Sequence, residues 1–234
     1  MKREEAIVKA LDESEKRKLA ESLYKPLDEY LKRLKRRIKE LFAPLYVSGF
    51  DELNIIRLNR TTAEMYTELD DFNRENYLKL VEHSRAWAEK ILGKKLSSAD
   101  LKYLVNSYLK GYDPTTQYVY IKEVDRKRMR LNEAILTANE YQDVGKLQKS
   151  VKKAADLWYT QSSQYGLALM MLSIHQAYEE EGVTLVRWIT QEDEKVCPEC
   201  FEKDGQIFDE DVARPPLHYN CRCIVIPENP ENPV

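Results

Sequence analysis

Glycine is scarce in this chain, 7 in 234 residues, and the few present stand apart as punctuation between longer segments. A glycine-rich loop that wraps a phosphate in backbone amides is therefore excluded. No apolar run approaches the ~20 residues needed to cross a bilayer, so no segment reads as a membrane span. The chain opens on charged Met1-Lys-Arg-Glu-Glu instead of an apolar export segment, and a reducing compartment is the expectation that follows. Only 3 histidines and 4 cysteines are available for chemistry. All four cysteines and one histidine fall within 197–223.

What remains is a charge-rich chain, 33% charged and 43% hydrophobic, long enough for one or two domains with a sizeable core. The net charge of −3 hides a split. From 176 onward there are 14 acids and 5 Lys/Arg, leaving 26 acids and 32 bases before that point. A mildly basic body precedes an acidic end, which suits contact with unlike partners without being a nucleic-acid signature.

The body reads as helical. Residues 1–25 form a charged helical lead. Leu27, Leu31, Leu34, Ile38 and Leu41 then mark one apolar seam, with Pro26 placed as a first helical residue. The opposite face carries Lys32, Arg33, Lys35, Arg36, Arg37 and Lys39; a solvated face and a contact with DNA or an acidic surface are the two readings. Residues 43–54, with Pro44 and Gly49, read as a connector. A second helix spans about 61–92, with Met65, Leu69, Phe72, Leu80, Val81, Trp87 and Ile91 near one face, and Gly93 ending it. His83 has no ligand-like neighbours and is expected at the surface or core edge. A short helix over about 98–110, a turn at 112–116, and a run at 118–121 that is either a strand or a lead into a helix come next. A helix over about 123–141 carries a second basic cluster, Arg126, Lys127, Arg128 and Arg130. Gly145 reads as a joint before the longest pattern, Val151, Ala154, Ala155, Trp158, Ser162, Tyr165, Leu169 and Leu172, which closes at Gly182.

After Gly182 the period changes. Residues 184–189, 206–208 and 222–226 read as three short strands. The loops between them hold Cys197-Pro-Glu-Cys200 and His218-Tyr-Asn-Cys221-Arg-Cys223. A Cys-x-x-Cys turn facing a second Cys/His cluster is metal-site spacing, and zinc is the metal that thiolate and imidazole favour. The five candidates, Cys197, Cys200, His218, Cys221 and Cys223, compete for four positions. We expect Cys197 and Cys200 both to bind, with two ligands drawn from the other three. A segment of ~40 residues needs such a staple, so the zinc reads as structural. Two disulfides are the alternative use of four cysteines. The fold expected is mainly α, a helical body with a small C-terminal zinc-bound β module (α+β). Its segments are an N-terminal amphipathic basic helix (1–42), a helical body (43–182), the zinc-binding β module (183–226) and a disordered proline-rich tail (227–234).

A catalytic zinc is disfavoured, because thiolates dominate and no position is left open for water. A zinc deaminase would need His-x-Glu upstream of Pro-Cys-x-x-Cys, whereas His175 is followed by Gln176-Ala177 and Cys197 is preceded by Val196. A nuclease pairing His218 with Asp193 or Asp204 is the remaining enzymatic alternative, so the expectation is a non-enzyme.

Trp188-x-Thr190, Asp193, Lys195-Val196-Cys197-x-x-Cys200, Asp204-Gly205 and Pro215-Pro216-x-His218-x-x-Cys221-Arg222-Cys223 together resemble the signature of the phage minor head proteins, the Mu protein F-like head-morphogenesis family. The resemblance implies a minor structural head protein of a tailed phage, associated with the portal protein, acting in procapsid assembly and in DNA packaging or delivery. It places the protein in the virion head interior at the portal vertex, and in the host cytoplasm during assembly. The major capsid and scaffolding proteins are further candidate partners, with weak DNA contact through the basic helices and no membrane. A zinc-containing nucleic-acid-binding or nuclease-like protein is the alternative. Some relatives carry C-terminal toxin or enzyme domains; none is expected within these residues.

Overall fold

The computed structural model describes residues 13–113, 118–190, 196–212, 214–218 and 221–228. Residues 1–12, 114–117 (most of the expected 112–116 turn), Asp193 and 229–234 (most of the expected 227–234 tail) lie outside them. Six helices are described: α1 (Glu13–Phe42), α2 (Leu58–Leu92), α3 (Leu101–Lys110), α4 (Tyr120–Glu140), α5 (Val144–Glu180) and α6 (Pro198–Lys203). A two-stranded pair, β1 (Tyr112–Asp113) and β2 (Tyr118–Val119), precedes α4. The mainly helical expectation holds, with a small antiparallel sheet near the C-terminus. The 118–121 run divides between its two readings, two residues pairing as strand and the next opening a helix. The 43–54 connector is a string of short 3-10 turns.

The packing forms two units, each discontinuous in sequence: Met1–Asp28, Lys79–Leu101 and Gly166–Val234 in the first, Glu29–Leu78 and Lys102–Tyr165 in the second. In the first unit, α1 buries Ala20, Leu23, Tyr24 and Leu27. Pro26 lies inside this helix instead of opening it. Proline has no N–H to give the carbonyl four residues back. That carbonyl, on Ser22, is met by His83 Nε2 at 3.0 Å. Trp87 Nε1 donates to Ser22 Oγ at 3.1 Å beside it, so a helix-breaking residue is tolerated because α2 supplies the missing partner.

Helix α5 also departs from its pattern. Its periodicity suggests one apolar face, yet Leu167, Leu169, Met170, Met171, Ile174, Ala177 and Tyr178 are all buried. A helix that is apolar all round is an interior element. Its end is as expected: Gly182 has φ 69°, and the Val183 and Gly182 N–H groups bond the Tyr178 and Glu179 carbonyls at 3.0 and 3.1 Å, which is the Schellman closure. Gly93 closes α2 in the same way. At the α4–α5 junction the expectation fails. Gly145 falls in the first turn of α5, and the joint is made by Gln142, which takes φ 51°, and by Asp143, whose Oδ1 caps the Lys146 N–H at 2.8 Å. A side chain able to satisfy an orphan donor decides the boundary more firmly than a glycine does.

The sheet has β3 (Leu185–Ile189) at its centre, flanked antiparallel by β4 (Ile207–Asp209) and β5 (Ile224–Pro227). Val186 faces Phe208 and Pro227; Trp188 faces Val225. Ile224, Val225 and Ile226 are all buried, so both faces of β5 are covered. The Tyr178 hydroxyl on α5 donates to the Val225 carbonyl at 3.0 Å.

The second unit centres on polar groups that satisfy one another. Tyr30 Oη donates to Asn73 Oδ1 at 2.8 Å, and Asn73 Nδ2 donates to Ser162 Oγ at 2.8 Å and Tyr120 Oη at 3.2 Å. Edge-on rings of Tyr30, Tyr77, Tyr120 and Tyr165 surround them. On the basic face of α1, Arg33 donates to Asn76 and Arg37 to Glu68, while Lys32, Lys35, Arg36 and Lys39 are exposed. Two of the six charges thus have partners on α2.

Candidate metal centre

The first half of the centre is built by a helix start. Pro198 stands at the first turn of α6, where its missing N–H costs nothing, and Cys197 is the cap: its Sγ accepts the Cys200 N–H at 3.3 Å. The Cys-x-x-Cys turn is therefore a helical turn that puts both sulfurs on one side. Helix α6 was not anticipated, although Pro198 was its signal.

A clip to β3 holds that turn in place. Gly205, at φ 72°, donates its N–H to the Trp188 carbonyl at 2.9 Å. Asp204 Oδ1 accepts the Thr190 N–H at 2.6 Å, and Arg187 Nη1 donates to the Gly205 carbonyl at 2.8 Å. This explains why Trp188-x-Thr190 and Asp204-Gly205 occur together. It also gives the Asp204 carboxylate a backbone partner, so its place is that of a clip.

The second half comes from the segment entering β5. Cys221 N–H bonds the His218 carbonyl at 3.2 Å, folding the imidazole back toward the sulfurs. Tyr24 of α1 donates its hydroxyl to the Cys223 carbonyl at 2.8 Å. The Arg222 guanidinium, pointing away, lies 5.7 Å from the Tyr24 ring centroid and 3.8 Å from Asp28. Tyr24 was missed in the sequence, where nothing local links it to a cysteine far along the chain.

The structure brings all five candidates together. His218 Nε2 is 3.1 Å from both Cys197 Sγ and Cys200 Sγ, and Cys200 Sγ is 3.9 Å from Cys221 Sγ. Cys197, Cys200 and His218 form one group with donor atoms within 4.8 Å of one another, and Cys200, Cys221 and Cys223 another. Cys200 belongs to both. All four cysteines are free thiols, and Cys200, Cys221 and Cys223 are buried.

The electrostatics fit a cation. Hydrogen bonding from Cys223 draws the Cys221 thiol down to about 5, while that same contact and then burial push Cys223 up. Burial pushes Cys200 up to about 12, whereas the Cys200 N–H lowers Cys197. Neighbouring sulfurs thus shift in opposite directions, because one thiolate is stabilised by the next thiol's proton and all four cannot ionise together. A divalent metal would take the place of those protons. The set of soft donors can hold such an ion.

His175 stands apart from this cluster. It is buried and bonded through Nδ1 to Glu210, which also pairs with Arg214; burial lowers its pKa despite the carboxylate.

Fold and site define the chain as a mainly helical protein whose small sheet carries a Cys/His cluster fit for a metal. Residues 120–226 match the family described as Phage Mu protein F like protein, in agreement with the resemblance carried by the motif residues. The match starts at the first residue of α4 and ends in β5, so it encloses the sheet and every candidate donor. A Haemophilus influenzae protein, described as uncharacterized, is 28% identical over 213 residues, 89% of this chain and 43% of that protein. The chain thus spans less than half the length of that relative. No solved structure matches it. Among the described residues, no helix is long and apolar enough to cross a membrane.

Proposed function

We propose that this chain is a minor structural head protein of a tailed phage, bound to the portal protein and acting in procapsid assembly. The observation that carries the reading is the family match over 120–226, which encloses the whole Cys/His cluster. Zinc is the proposed metal and its role is structural. At Zn–S bonds of about 2.3 Å, tetrahedral ligands sit about 3.8 Å apart, close to the 3.9 Å between Cys200 and Cys221. Cys197 and Cys200 would both bind, with two of His218, Cys221 and Cys223. The ion would cross-link α6 to the segment entering β5. In this reading the protein lies inside the head at the portal vertex, with the major capsid and scaffolding proteins as further neighbours. A part in DNA packaging or delivery would follow from that position.

The test is co-expression of the chain with the portal protein of the same phage. The chain should co-sediment with assembled portal rings, and heads made without it should be defective. Recovery of only free chain, with normal heads in its absence, would reject the portal reading.

A further inference from the structure

The second unit holds a feature unrelated to the metal centre: a solvent-open cavity of about 510 Å³, walled by α4 and α5 and reached by Tyr66 of α2. Arg126, Lys127, Arg130 and Lys153 all line it, against one carboxylate, Glu123. Glu123 is buried and holds Arg126 at 2.6 Å, so it orients one guanidinium and leaves the cavity with surplus positive charge. Lys127 is anchored by a bond to the Leu157 carbonyl at 3.3 Å, and burial lowers its pKa to about 8. Like charges gathered around a concave surface repel one another unless an anion joins them.

An independent observation comes from Tyr66. It is 2% exposed and lines the cavity, and its hydroxyl has no hydrogen-bond partner among the described residues. Folded proteins seldom leave a buried hydroxyl unmatched. Leu131 and Leu157 supply an apolar wall, and the volume falls in the range of small-ligand sites. A shallower hollow adjoins it, sharing Lys153, Leu157 and Thr160 and adding Lys149, Lys152 and one carboxylate, Asp156.

We propose that this cavity binds a phosphate-bearing ligand, held by Arg126, Lys127, Arg130 and Lys153 with the Tyr66 hydroxyl, its organic part lying against Leu131 and Leu157. Two guanidiniums and two ammoniums match a group with several charged oxygens better than a single carboxylate. A free nucleotide and the phosphodiester of a single strand share this chemistry, the strand continuing over Lys152 and Lys149. The site lies on α2, α4 and α5 and is independent of the zinc reading.

The full-length chain is titrated with inorganic phosphate, a deoxynucleoside monophosphate and a short fluorescent single-stranded oligodeoxynucleotide. Saturable binding is expected, weakened about tenfold or more by Arg130→Glu with Lys153→Glu, both at exposed positions. The oligonucleotide salt slope should fall by about 0.7 per lost phosphate contact. Tyr66→Phe, which keeps the ring packing, should weaken binding severalfold with an unchanged circular dichroism spectrum and melting curve. Competition by the mononucleotide supports a small-ligand site; binding of the oligonucleotide alone supports the strand. The proposal is overturned if none of the three probes binds, if the double charge reversal binds like the parent, or if Lys32→Glu with Lys35→Glu on α1 costs as much. Equal affinity for an oligoglutamate peptide also overturns it.

Discussion

Tyr24 shows how much one side chain contributes to the metal centre. Its hydroxyl holds the Cys223 carbonyl while its ring carries Arg222, so it fixes the backbone between two sulfur donors. Tyr24→Phe leaves that buried carbonyl without a donor, at a cost of about 1–3 kcal/mol. Urea unfolding should show the loss, and the variant should release zinc to a chelator faster than the parent. An unchanged midpoint and release rate would mean that the bond is incidental. The sulfurs themselves are unequal. Cys200 belongs to both donor groups, whereas Cys223 belongs only to the one it shares with Cys200 and Cys221. Metal analysis should therefore find about one zinc per chain in the parent, none in Cys200→Ser, and a partial content in Cys223→Ala, where a spare donor fills the position. Equal zinc in both variants would remove the distinction.

At the scale of elements, the α4–α5 junction is the most exposed to test. Asp143 caps α5 and Gln142 occupies a left-handed conformation that glycine adopts without strain. Asp143→Ala should cost about 1 kcal/mol, and Gln142→Gly should gain up to about 1 kcal/mol, reduced slightly by the loss of its side-chain bond to the Asn139 carbonyl. Thermal melts of the two variants should move in opposite directions. A fall for Gln142→Gly would show that its side-chain bond outweighs the backbone strain. The same junction explains why Gly145 misleads as a boundary: capping is a property of the residue before the helix, and here that residue is an aspartate.

For the whole molecule, the question is how far the metal's influence extends. The sheet and its Cys/His cluster are not isolated from the helices of their own unit: Tyr24 on α1 and Tyr178 on α5 bond the Cys223 and Val225 carbonyls. Chelation should therefore raise hydrogen exchange across β3–β5 and α6 and around Tyr24 as well. The second unit, whose Tyr30–Asn73–Ser162 network contains no metal donor, should keep its protection. Uniform loss across both units would show instead that they unfold as one cooperative body. The same packing bears on how partner contacts are mapped. Helix α1 buries Leu23, Tyr24, Tyr30, Leu34 and Phe42, so its deletion would remove core. Charge reversals at the exposed Lys32, Lys35 and Lys39 are the better probe of a docking face.

Much of this was legible in the sequence because it is local. Cysteine spacing alone picks out the five candidate donors, since a Cys-x-x-Cys turn and a His-x-x-Cys-x-Cys run constrain their own sulfurs whatever surrounds them. Helical periodicity and the stops at Gly93 and Gly182 are likewise consequences of each segment's own backbone bonding. Tertiary structure alone decided that Pro26 could sit inside a helix, because the partner for the freed Ser22 carbonyl is His83 on another helix. It alone buried 167–178 on every side, and it alone brought Tyr24 to Cys223, 199 residues away. Local sequence specifies which groups a segment can satisfy internally. The groups it leaves unsatisfied find their partners only when distant segments close on one another, and no periodicity within a segment records that choice.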